Sequence, residues 1–95
     1  MMSLPIIDTI LGDGKKYLDL IDLARRVVNA VVAGNAEKLV FPASGGVDIH
    51  SECDQLRRMM LGHGLETFGF EDDIVFYNSF VNPLIEGVDK KGGQF

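Results

Sequence analysis

Between residues 15 and 33, apolar side chains return every three or four positions, at Tyr17, Leu20, Ile21, Ala24, Val27, Val28 and Val31. Lys15, Asp19, Asp22, Arg26 and Asn29 return at the same steps on the other side. Only a helix separates these two sets, because a turn of about 3.6 residues stacks such positions on one face, whereas a strand alternates every second residue. The segment therefore predicts an amphipathic helix with Asp13 as its N-cap and a left-handed stop at Gly34-Asn35. Lys15–Asp19 and Asp22–Arg26 stand four apart on the polar side, each pair contributing a few tenths of a kcal/mol. Leu18, Leu23, Ala30 and Val32 widen the apolar side. A helix apolar over that width needs cover on two sides, from its own chain or from a second copy.

The remaining chain that could supply this cover is short. With 95 residues, the protein reads as one domain over residues 1–95, since a chain this size buries only about 60 to 70% of its unfolded surface. Hydrophobic residues at 46% and charged residues at 24% are close to globular averages. Cys53 is the single cysteine, which removes any internal disulfide and points to a reducing, cytoplasmic setting. A net charge of -5, with nine Lys and Arg scattered as four pairs and Lys38, argues against a nucleic-acid partner, whose phosphates need a dense basic face. The opening Met1-Met2-Ser3-Leu4-Pro5 lacks the basic start of a secretory signal, and no apolar run approaches the length of about 20 residues that crosses a bilayer.

In chain order, Leu4, Ile6, Ile7, Ile10 and Leu11 have helical spacing behind Ser3 and Pro5, and Gly12-Asp13-Gly14 separates this short helix from the long one. The apolar phase runs on through the glycines, so one continuous helix is the alternative. Gly-Asp-Gly-Lys-Lys has neither the spacing nor the preceding strand of a phosphate loop. Lys38-Leu39-Val40-Phe41 reads as a short strand closed by Pro42, and Ala43-Ser44-Gly45-Gly46 as a turn. Asp48, or Ser51, caps a helix over 49–61 with the stripe Ile49, Cys53, Leu56 and Met60, stopped by Gly62-His63-Gly64. Two runs rich in aromatic and β-branched residues, 65–70 and 74–81, flank Glu71-Asp72-Asp73 and predict a β-hairpin. A helical phase through Ile74, Tyr77, Val81, Leu84 and Ile85 competes with the second strand; composition favours the strand. Residues 89–95 read as a frayed tail.

The expected fold class is α+β: N-terminal helices, a short strand, a helix, then a β-hairpin forming a small antiparallel sheet. A helix, a glycine stop and a hairpin with a charged tip resemble the second half of a winged-helix domain in organisation only, and no family motif is present.

His50 and Cys53 lie three apart on one helix with His63 at its end, and both residue types ligate zinc. A closed zinc site needs four ligands, the chain has one Cys and two His, and Cys53 falls in the apolar stripe. The expectation is a packed cysteine and two surface histidines, with no metal, no cofactor and no catalytic set. With a histidine as base, a thiol nucleophile at Cys53 would still need an oxyanion site and a third orienting group, and the spacing indicates no third residue. Glu71, Asp72 and Asp73 read as a solvated tip. Ser44, Gly45 and Gly46 could present backbone N–H groups to an anion ahead of the helix.

The leading expectation is a non-enzymatic protein-interaction or assembly module, self-associating through the long helix and a two-faced aromatic strand. Tyr17, Val28, Val31, Val75 and Tyr77 supply its apolar surface, and Arg57 and Arg58 its charged contacts. The alternatives are a winged-helix-like nucleic-acid-binding or regulatory domain, and a binder of a small anion at the Ser44–Gly46 turn.

Overall fold

A computed structural model describes residues 5–34 and 49–92, and among them every regular element is helical. Helix α1 spans Pro5–Gly12, α2 Leu18–Ala33 and α3 His50–Gly62. Then α4, Asp73–Phe76, runs through a π-helical turn, Tyr77–Val81, directly into α5, Asn82–Lys90. The expected α+β class is therefore overturned: residues 65–81 hold no hairpin and no sheet exists among the described residues. The wing of a winged-helix arrangement goes with it. The short strand at Lys38–Phe41, the Ser44–Gly46 turn and the Asp48 cap lie outside the described residues.

The acidic triplet starts a helix instead of turning a hairpin. The Asp72 carboxylate accepts from the backbone N–H groups of Ile74 and Val75, at 2.9 and 3.1 Å, which satisfies two donors that a helix start leaves open. Beyond it, Phe76, Tyr77, Phe80, Val81, Leu84, Ile85 and Val88 are all buried. A strand would send Phe76 and Tyr77 to opposite faces; the helix puts both, and each pair after them, on one side. Phe76 and Phe80 stack with centroids 5.4 Å apart, and Phe70 tilts onto both at 5.3 and 5.5 Å. Aromatic and β-branched residues favour strands only where a pleated surface receives them. Here helices receive them.

The π turn has a local cause. Pro83 has no N–H to donate, and its ring crowds the carbonyl four residues back, at Ser79. The Asn82 N–H bonds the Tyr77 carbonyl, five residues back, so the rod widens around Ser79 and continues past the proline.

At the other end, hydrogen bonds from Lys16 to Asp13 and from Tyr17 to Gly14, 3.0 and 3.1 Å long, form a tight turn between α1 and α2. The two helices are thus separate. Tyr17, with no side-chain cap, precedes α2, so Asp13 is not the cap that the sequence suggests. Gly34 closes α2 at φ -82°, not in the left-handed region. Gly64 does take that region, at φ 77°, and the bonds Leu65 to Met60 and Gly64 to Leu61 complete a Schellman closure of α3.

Helix α2 lies at the centre, against α3 on one side and α5 and the π turn on another, while α1 packs on α5. Its wide apolar side is covered in part within one chain: Leu23 joins Leu20, Ile21, Ala24, Val27 and Val31 in the core, leaving Leu18, Ala30 and Val32 exposed. Helices α1 and α5 touch at Gly87, where a β-carbon would stand 2.6 Å from the Leu11 side chain. Arg25 and Asp89, 2.7 Å apart, tie α2 to α5, and Lys91 Nζ donates to the Leu11 carbonyl at the end of α1.

Candidate functional site

The stripe Ile49, Cys53, Leu56 and Met60 faces the core, so the residues beside it, His50 and Arg57, fall on the flank of α3 that meets α4. There they converge on Asp73. The Arg57 guanidinium donates through Nη2 to Asp73 Oδ1 at 2.8 Å and through Nη1 to the Phe70 carbonyl at 3.2 Å, and lies 5.2 Å from the centre of the Phe76 ring. His50 Nδ1 stands 2.6 Å from Asp73 Oδ2. Arg57 and Asp73 are mostly buried, with side chains 13% and 25% exposed, whereas His50 is open to water. Burial pushes the Asp73 carboxyl up, but hydrogen bonds from His50 and Arg57 prevail and hold it below its ordinary range. The same hydrogen bond and the Asp73 charge raise His50.

Cys53 sits one turn inside this cluster. Burial, with the Asp73 charge adding to it, pushes its thiol up to about 12. Nucleophiles and metal ligands are thiolates; this sulfur stays protonated at neutral pH and packs as a small apolar group. Tyr77 lies nearby with its hydroxyl buried and without a hydrogen-bond partner, and burial raises it too.

His63 belongs to another cluster. Its ring meets the Tyr17 ring edge-on at 5.1 Å, and Nε2 lies 3.0 and 3.2 Å from the two Asp19 oxygens. Asp19 is raised by burial and lowered more strongly by its hydrogen bonds with His63 and the Leu20 N–H. His50 and His63 are 13 positions apart, about 20 Å along a helix, each with its own carboxylate. His50, Cys53 and His63 do not assemble into a metal site, and no group of three or more ligating residues exists among the described residues.

Of the expected interaction residues, Tyr17, Val31 and Tyr77 are buried in the core and Val28 is half-buried. Val75 is exposed, Arg57 is tied as above, and Arg58 pairs on the surface with Asp54 at 3.0 Å. The anion-site residues Ser44, Gly45 and Gly46 lie outside the described residues. The feature that sequence reasoning missed is Phe68, 86% exposed. It stands at the apex of a turn closed by the Phe70 N–H to the Thr67 carbonyl at 3.0 Å, with Gly69 at φ 88°. Thr-Phe-Gly-Phe was the available signal, since a type II turn requires positive φ, hence glycine, at its third position.

Comparison with protein families, with curated proteins and with solved structures returns no match to this chain.

Proposed function

We propose that the protein is a non-enzymatic interaction module, a small helical body that offers apolar side chains to a partner protein. One distribution supports this reading. Groups with chemical potential, Cys53, Arg57 and Tyr77, face inward or are held by neighbours, whereas Leu18, Val32, Leu61, Phe68 and Val75 remain exposed. Single exposed apolar residues are ordinary; the reading rests on Phe68, which at 86% is by far the most open of the five.

Self-association has less to rest on than the sequence implied. Tyr17, Val31 and Tyr77 are used inside the fold. Leu18 and Val32 are 14 positions apart, about 21 Å along α2, with exposed Asp22, Arg26 and Asn29 between them. A different protein is the favoured partner. No described helix is long and apolar enough to cross a membrane, and the lone free cysteine favours the reducing cytoplasm as the place of encounter.

Native mass spectrometry of the protein isolated at its natural level from its own cells tests the proposal. The expected species is this chain with a second polypeptide in whole-number ratio. A stoichiometric metal ion or small organic molecule in place of a polypeptide would overturn it.

A further inference from the structure

We infer that the turn carrying Phe68 is the docking element, and that it fits a partner protein whose apolar pocket is ringed by lysine or arginine. The inference rests on the interaction-module reading and supplies the partner's chemistry.

The turn is fastened on both sides of its apex. Before it, Leu65 is held by the bond to the Met60 carbonyl at 2.8 Å, which closes α3, and its side chain packs on the core. After it, Phe70 lies against Phe76 and Phe80, and its carbonyl accepts from Arg57. Phe68 and Phe70 are the same residue two positions apart, yet one joins the aromatic cluster and the other is turned out to water at 86% exposure. The fold gains nothing from that outer ring. With the backbone of the turn already held on both sides, binding need order only the Phe68 side chain itself, and a preorganised backbone favours an aromatic anchor.

Charge selects the partner. Glu66, Glu71 and Asp72, all within four positions of the apex in sequence, are exposed, and none is in an ion pair among the described residues. Residues 64–73 contain no lysine or arginine; Asp73 alone is neutralised, by Arg57 and His50. An apolar anchor within an acidic rim is complementary to an apolar pocket within a basic one. A second copy would bring an identical acidic rim, and an anionic lipid surface would repel it.

A defined probe with this chemistry is a β-cyclodextrin carrying amino groups on its rim, an apolar cavity ringed by cations, with neutral β-cyclodextrin as control. Titration followed by amide chemical shifts should perturb residues 66–72 and show affinity about tenfold or more higher for the aminated ring, falling with salt. Phe68→Ala should abolish binding, and Glu66→Gln with Glu71→Gln should reduce the aminated ring to the level of the neutral one. Equal affinities, shifts centred on Leu18 or Val32, a dimer lost in Phe68→Ala, or binding to anionic vesicles would each overturn the inference. With the polypeptide found by native mass spectrometry, Phe68→Ala should weaken binding by an order of magnitude or more. A partner indifferent to Phe68→Ala sinks this docking element while leaving the module reading intact; absence of any polypeptide partner removes both.

Discussion

Replacing Arg57 by methionine keeps most of the apolar stem and removes the guanidinium that joins α3, the 65–70 turn and α4. The Arg57–Asp73 bond is charge-assisted, 2.8 Å long and mostly shielded, and bonds of that kind contribute about 1.5 to 3 kcal/mol. The bond to the Phe70 carbonyl adds about 0.5 to 1.5 kcal/mol and the contact with the Phe76 ring about 0.5 to 1 kcal/mol. These contributions overlap, because one group makes all three, so the expected loss is about 2 to 4 kcal/mol. Against a total stability of about 5 to 15 kcal/mol, that is a large fraction. Urea unfolding followed by far-ultraviolet circular dichroism measures it, with Arg57→Lys as the control that keeps charge but loses the two-pronged geometry. Lysine should restore only part of the loss. The Asp73 carboxyl should also titrate higher in Arg57→Met, as carboxyl-carbon NMR would report. A loss below about 0.5 kcal/mol at unchanged urea slope, with Asp73 titrating as before, would refute the view that this pair anchors α4.

Three further outcomes are expected. Tyr77→Phe removes a buried hydroxyl that has no partner, so stability should hold or rise by about 1 kcal/mol; a loss above about 1 kcal/mol in thermal unfolding would mean the hydroxyl is bonded. Cys53 should resist iodoacetamide in the folded protein and react once urea unfolds it, as intact mass would show, because burial keeps the thiol protonated; rapid labelling of the folded chain would contradict this. His50 is raised by Asp73, so its contribution is complete below the ordinary histidine pKa of about 6.5 and is lost as pH rises through the raised value. Asp73 is lowered, so its contribution holds above the ordinary carboxyl value of about 3.9 and fades as pH falls through the lowered one. Stability measured from pH 5 to 8 should therefore decline towards the alkaline end (~pH 8), and His50→Gln should flatten the decline; an unchanged slope in the variant would dismiss the pair as its source.

Local pattern was enough where one face of a helix meets one core. The stripe of 15–33 and the set Ile49, Cys53, Leu56 and Met60 are buried almost residue for residue, because a three-and-four spacing has only one way to gather on one side. That placement also puts Cys53 in the core. Residues 65–81 differ from the local expectation for an identifiable reason. Their aromatic and β-branched content suits a strand when a neighbouring strand is present and a helix when other helices are, and nothing local says which neighbour arrives. The weaker helical phase through Tyr77, Val81, Leu84 and Ile85 was the true signal, with Asp72 as its cap and Pro83 accommodated by the π turn.

The sequence by itself determined the acidic balance, the two long helices and the residues that line their inner faces. Periodicity, glycine stops and composition are properties of neighbouring residues, and they act before any distant contact forms. Only the tertiary structure decided that the aromatic run is a helix, that Arg57 and His50 meet Asp73, that His63 meets Asp19, and that Phe70 turns inward while Phe68 turns out. Each of these depends on surfaces brought together from separated parts of the chain, whose pairing energies outweigh local propensities of a few tenths of a kcal/mol per residue.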